Sequence, residues 1–251
     1  MPDLAALRLD PGDALFLDLD GTLAELRDDP DAVRLDPATV AALEALAEAL
    51  AGAVVLISGR DIRDLDARAP RGLWRAGGHG LEIAPPGAAP AAAAADPDPA
   101  MLARLRAEVA AFPGARVEVK GPILALHYRA APGAGAALIA AAEAAAAAAP
   151  GHVAQSGHMV VEVKPGVANK GRALEGLAAR PPFAGRRPVM IGDDTTDEDA
   201  MRAATTLGGF GVKVGPGDSA ARYRAADPAA VRAWLAREAA RIAQSFPLPQ
   251  A

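Results

Sequence analysis

Four stretches of the chain share one pattern, a short apolar run that stops at a polar or glycine-bearing cluster. Ala14–Leu17 leads into Asp18-Leu19-Asp20-Gly21-Thr22, and Ala53–Ile57 into Ser58-Gly59-Arg60-Asp61. Pro188–Ile191 leads into Gly192-Asp193-Asp194-Thr195, and Phe210–Val214 into Gly215-Pro216-Gly217-Asp218. Unbroken apolar runs of this length predict parallel strands buried on both faces. Helical patterns lie between them, over Pro37–Leu50, Asp61–Ala69, Lys170–Ala179 and Asp197–Thr205. The alternation predicts an α/β fold built on an open, doubly wound parallel sheet. Ligands of such sheets bind beyond the carboxyl ends of the strands, so the four polar clusters are expected to meet in one crevice.

The middle of the chain breaks the pattern. Ala84–Pro99 is Pro/Ala-rich and reads as a flexible surface connection. Beyond it come a helix (Ala100–Ala111), strands over Arg116–Lys120 and Ile123–Arg129, an alanine-rich helix (Gly135–Ala149), and strands over His152–Gln155 and His158–Lys164. Two helices and paired strands predict a smaller α/β domain, inserted because the first pattern resumes at Lys170. The expected division is a core domain from residues 1–97 and 169–251 with an insert at 98–168. Side chains alternate faces along a strand. Glu118 with Lys120, His127 with Arg129, and Glu162 with Lys164 therefore share a polar face. Val117, Val119, Leu126, Tyr128, Val161 and Val163 turn toward the helices.

Composition narrows the function. The chain of 251 residues has 31 acidic and 26 basic side chains, a net charge of −5, which argues against a nucleic-acid partner. No apolar run approaches the roughly 20 residues of a membrane span, and the N-terminus lacks the basic region of a secretory signal. With no cysteine there are no disulfides and no thiolate chemistry. A soluble, cytoplasmic protein is the expectation.

Asp18 and Asp20, two apart at a strand end, point the same way about 6–7 Å apart. Such a pair can hold a divalent cation and leave one carboxylate for nucleophilic or acid–base work. Gly192–Asp199 puts five acids in seven residues at another strand end. Their mutual repulsion calls for a cation or a helix N-terminus, and Glu198 and Asp199 are expected only to cap that helix. Ser58 at a helix start suits a phosphate oxygen, although Ser-Gly is also ordinary turn chemistry. Lys170 at a predicted helix start opposes the dipole, which hints at a counter-anion.

The order of these clusters resembles the haloacid dehalogenase superfamily of phosphatases. More narrowly, Leu17–Leu23, Ile57–Arg60, Gly77–Glu82, His127–Arg129, Val161–Pro165, Asn169–Gly171 and Gly192–Asp199 look like the trehalose-6-phosphate phosphatase family. The resemblance implies a Rossmann-like core with an inserted cap that reads a sugar. It further implies Mg²⁺-dependent hydrolysis of trehalose 6-phosphate through an aspartyl-phosphate on Asp18, with Asp20 as acid and then base. Mg²⁺ would be held by Asp18, the Asp20 carbonyl, Asp193, and Asp194 or Asp197, while Ser58 and Lys170 would bind the phosphoryl oxygens. Glu162 would accept from sugar hydroxyls, and Lys120, Arg129 and Lys164 would donate to hydroxyls or the phosphate. His79 would line the sugar pocket, and Gly59, Arg60, Gly80, His127 and Asn169 complete the implied substrate-binding set. Functional coupling to a trehalose-phosphate synthase is the implied partnership.

Two other readings remain open at this point. The substrate could be another sugar phosphate (sucrose, mannosyl-3-phosphoglycerate or glucosylglycerol phosphate), or the group could pass to a second sugar, as in a mutase. Alternatively the chain could be a catalytically silent sugar-phosphate sensor. Asp18, Asp20, Lys170, Asp193 and Asp197 are all present, which weighs against the silent form.

Overall fold

The structure, a computed structural model, describes residues 1–27, 29–92, 95–157 and 159–245. The described residues form two compact units, Met1–Pro90 with Asn169–Ala251, and Ala91–Ala168.

The first unit is built on a sheet of β1 (Asp13–Leu17), β2 (Val54–Ile57), β3 (Trp74–Gly77), β4 (Glu82–Ala84), β9 (Arg187–Gly192), β10 (Phe210–Val214) and β11 (Tyr223–Ala225). Their order is β11-β10-β9-β1-β2-β3-β4, parallel throughout except for the antiparallel edge β4. Every residue of β1, β2 and β10 is buried, as the apolar runs require of strands covered on both faces. Helices α1 (Pro37–Ala49) and α7 (Pro228–Ser245) pack as one pair, and α5 (Lys170–Ala178) and α6 (Thr195–Thr206) as another. Helix α2 (Ile62–Asp66) links β2 to β3. The chain leaves β1 for β2 on one side, whereas β9 continues to β10 on the other. The switch point of this doubly wound sheet therefore lies at the neighbours β1 and β9. Leu17 is level with Ile191 and with Leu56, which brings three strand ends to one height.

Three strands and a helix go beyond the sequence expectation. β3 and β4 carry Arg75 and Glu82 rather than an apolar run, β11 is short, and α7 holds a buried acid, Glu238, on its core face. The first helix turns also move. Asp61 is the N-cap of α2 rather than its first residue, and α6 begins at Thr195 behind the cap Asp194. Part of the Ala/Pro-rich stretch is not a free connection. The buried Arg75 guanidinium pairs with Asp66 and donates to the Pro85 and Ala88 carbonyls, each at 2.8 Å, while the Gly87 amide donates to Arg71. Residues 93–94 of that stretch lie outside the described residues.

The second unit is an antiparallel sheet, β5 (Arg116–Lys120), β6 (Ile123–His127), β7 (His152–Gly157) and β8 (Val160–Pro165), in the order β5-β6-β8-β7. Helices α3 (Pro99–Ala110) and α4 (Gly135–Ala148) pack on it. Leu124, Leu126, Val161 and Val163 join Leu105, Leu138 and Ala142 in its core. Val119 departs from the expected alternation and is 41% exposed, because the edge strand β5 has a neighbour on one side only. Arg129 lies in the turn after β6, exposed and outside the strand. His158, expected to open a strand, lies outside the described residues. Among the described residues no helix is long and apolar enough to cross a membrane.

Candidate active site

Asp18 follows the last residue of β1, and its amide donates to the Ile191 carbonyl at 3.0 Å, which ties it to β9. Its carboxylate is buried and accepts from the Lys170 ammonium at 2.7 Å. Lys170 opens α5 behind the N-cap Asn169 and donates equally, at 2.7 Å, to Asp197. The lysine that opposes the dipole of its own helix is therefore held by two carboxylates. Although burial opposes its charge, Asp18 and Asp197 hold the ammonium well above the usual lysine range. Burial pushes Asp18 up to about 8 against the pull of Lys170, with Asp193, Asp194 and Asp20 adding to the rise. Asp193 is pushed up to about 6, first by burial and then by Asp197 and Asp194.

The acids after β9 divide by partner. Asp194 is a helix cap, accepting from the amides of Thr196 (2.8 Å) and Asp197 (3.1 Å) and from the Thr196 hydroxyl. Burial opposes its ionisation, yet Lys170 and these hydrogen bonds prevail and hold it at about 2. Asp197 completes the capping box by accepting from the amides of Asp193 and Asp194. The expectation that Glu198 and Asp199 only cap this helix is corrected. Glu198 accepts from the Ala220 amide, and Asp199 from the Asn169 side chain at 2.7 Å. Asn169 also accepts from the Arg172 amide, so both ends of its amide serve the α5–α6 junction.

Carboxylate oxygens of Asp18, Asp193 and Asp197 lie within 4.8 Å of one another. Three hard oxygens at the meeting of β1 and β9 fit a hard divalent cation. Burial and the neighbouring acids oppose ionisation of Asp18 and Asp193, and a cation among these oxygens would favour their charged forms. Asp193 is placed by neighbours the sequence reading passed over. The Thr22 hydroxyl donates to it at 3.3 Å, Gly21 (φ 82°) passes so close that a side chain there would strike it, and Lys213 donates to its carbonyl. A lysine inside the apolar run of β10 was the available signal for Lys213.

On the far side of β2, Ser58 is buried, its amide donates to Ala76, and its hydroxyl accepts from the Arg60 amide. The segment Gly77–Gly80 braces this turn. Gly78 and His79 donate their amides to the carbonyls of Arg60 and Ser58, at 2.7 and 2.9 Å. His79 is buried at φ 56°, and its ring packs on Gly59, while Gly80 packs on Ala173 of α5. His79 and Gly80 thus wedge the Ser58 turn against the helix that carries Lys170.

A family model for trehalose-phosphatase matches residues 16–229. The chain belongs to the trehalose-phosphatase family. It is 42% identical over 206 residues to a probable trehalose-phosphate phosphatase of Sinorhizobium fredii, covering 81% of this chain and 78% of that one. It is 40% identical over 229 residues to a trehalose-6-phosphate phosphatase of Escherichia coli, covering 88% and 85%. In fold it is similar to the C-terminal domain of the C. albicans trehalose-6-phosphate phosphatase, with TM-score 0.80 at 24% identity over 91% and 92% of the two chains. As a trehalose-phosphatase family member the protein is a phosphoric monoester hydrolase.

The polar face of the second unit is a connected network. Glu118, Ala125, Glu162 and Gln155 stand in one cross-strand row. Lys120 donates to Glu162 at 3.1 Å, and His127 Nε2 donates to Glu118 at 2.6 Å, which holds that carboxyl below the usual range. Glu162 and Lys164 alternate with Val161 and Val163 along β8 and share this face. Glu118, left out of the expected site residues, belongs to this network.

Proposed function

We propose that this protein hydrolyses trehalose 6-phosphate to trehalose and inorganic phosphate, with Asp18 as nucleophile. The observation that carries the reading is the buried Asp18 carboxylate at the switch point, 2.7 Å from the Lys170 ammonium. An Asp18 oxygen attacks phosphorus, the bond from phosphorus to the sugar oxygen breaks, and the departing oxygen takes a proton from Asp20. Asp20 then removes a proton from water, which attacks the aspartyl-phosphate and releases phosphate with the Asp18 carboxylate restored. Ser58 and Lys170 hold the equatorial oxygens, where charge spreads in the transition state. Asp18, Asp193 and Asp197 would hold Mg²⁺, with the Asp20 carbonyl, and the bound cation would offset the repulsion between carboxylate and phosphate dianion.

Residues 98–168 are the part of the chain with the chemistry to read a sugar. Glu162 accepts from hydroxyls, and Lys120, Lys164 and Arg129 donate. Supply of the substrate by a trehalose-phosphate synthase and a cytoplasmic setting belong to the same proposal.

Phosphate release from trehalose 6-phosphate, sucrose 6-phosphate, glucose 6-phosphate and p-nitrophenyl phosphate, with Mg²⁺ and with EDTA, tests it. A preference for trehalose 6-phosphate of about a hundredfold supports the reading. Turnover of the aryl phosphate alone sinks the sugar assignment, and no turnover of any substrate restores the silent sensor. Glu162→Ala should lower kcat/KM for the sugar phosphate and spare the aryl phosphate.

A further inference from the structure

Arg60 stands two residues after Ser58, a place that suggests a substrate ligand, yet its guanidinium is committed elsewhere. Nε donates to Asp20 Oδ2 at 2.6 Å and Nη2 to Asp20 Oδ1 at 2.7 Å. The third arm, Nη1, donates to Asp64 of α2 at 2.7 Å. Asp64 is itself gripped by Arg68 at 2.8 Å. The backbone of Arg60 is equally fixed, its amide donating to Ser58 and its carbonyl accepting from Gly78. The planar fork of a guanidinium sets both the position and the plane of a carboxylate it meets through two hydrogen bonds, which an ammonium cannot do.

We infer that Arg60 is the positioning residue of Asp20, and that Asp64 holds Arg60 in place for that task. The inference rests on the reading of Asp20 as acid and base. One carboxyl group has to serve the leaving sugar oxygen and then the incoming water, and both occupy the position opposite Asp18. A carboxyl free to rotate would meet each at a different angle. Arg60 removes that freedom. The Arg60 and Asp20 side chains, which start from separate strand ends, are thus locked into one geometry that Asp64 of α2 anchors.

The test separates the first half-reaction from the second by rapid-quench measurement of the alcohol released, trehalose or p-nitrophenol, with KM measured alongside. p-Nitrophenolate leaves without a proton, so only the sugar needs a placed acid. For Arg60→Lys we expect the first step with trehalose 6-phosphate to slow at least about tenfold, within the range of general acid catalysis. The same step with p-nitrophenyl phosphate and both KM values should change less than about threefold. Asp64→Asn should show the same pattern at smaller amplitude, with Arg60 still present. A raised KM for the sugar phosphate with its first step retained would make Arg60 a substrate ligand and overturn the inference. Equal slowing with both substrates would place Arg60 on the phosphoryl group or in the fold and overturn it as well. Asp20→Asn is the control for the underlying reading. If it treats the two substrates alike, the acid role of Asp20 fails first, and the Arg60 inference fails with it.

Discussion

Lys170 Nζ lies 2.7 Å from Asp18 Oδ1, and both side chains are buried, at 3% and 5% exposure. The same ammonium holds Asp197 at the same distance, so one positive charge serves two carboxylates. Removing one partner of a buried ion pair leaves the other uncompensated, which typically costs about 3–5 kcal/mol. Lys170→Met should therefore destabilise the protein strongly as well as abolish turnover. Urea unfolding checks this, and a midpoint equal to wild type would mean that the pair contributes nothing to folding. Adding Asp197→Asn to Lys170→Met should recover part of the loss, since it removes one of the stranded charges.

The charge balance also gives the protein a pH dependence when no cation is bound. Asp18 and Asp193, raised from 3.8 to about 8 and about 6, hold protons that the unfolded chain has already released. The folded state binds more protons across that interval, so stability falls as pH rises through it. In EDTA the melting temperature should decline from about pH 5 to about pH 8, and Mg²⁺ should flatten the decline. Asp18→Asn, which takes away one of the raised groups, should melt above wild type in EDTA near pH 8. That advantage should shrink toward pH 5. A flat profile in EDTA would show that the carboxylates stay ionised without a cation.

How much of this was legible beforehand differs between strand ends and side-chain partners. Apolar runs ending at Asp18, Ser58 and Gly192 located β1, β2 and β9, because burial on both faces leaves an unmistakable local signature. β3 was not legible, since Arg75 interrupts it and the partner that makes Arg75 tolerable, Asp66, is supplied by a helix. The separate uses of the acids after β9 were also hidden. Asp193, Asp194 and Asp197 look alike in sequence, and only the structure shows that Asp194 caps α6 while Asp197 both shares in the capping box and stands with Asp18 and Asp193. The Arg60–Asp20 pair spans 40 residues, and nothing in either motif names the other.

Asp194 allows that distinction to be measured. As an N-cap its removal should cost about 1 kcal/mol, so Asp194→Ala should lower the melting temperature by about 2–4 °C. Serine is an equally good cap without the charge. Asp194→Ser should therefore keep stability and retain the affinity for Mg²⁺ measured by calorimetry. Weakened Mg²⁺ binding in the serine variant with unchanged stability would make Asp194 a ligand rather than a cap.

The wedge at His79 makes the sharpest packing prediction. A methyl group at Gly59 would lie 2.7 Å from His79 Cε1, closer than real side chains approach. The ring has little room to retreat, because His79 is buried and its amide is fixed to the Ser58 carbonyl. Gly59→Ala should therefore displace the Ser58 turn, and overpacking of this kind costs about 1–3 kcal/mol. Shortening the side chain that stands in the way should relieve it, so Gly59→Ala with His79→Ala should recover part of the stability lost by Gly59→Ala alone. The two changes would then be non-additive, with a coupling of about 0.5–3 kcal/mol in a double-mutant cycle. Inhibition by inorganic phosphate reads the same coupling at the site, since phosphate should bind more weakly to Gly59→Ala and regain affinity in the double variant. Additive losses in both measurements would show that His79 does not support the turn through Gly59, and would return its side chain to the sugar-binding role.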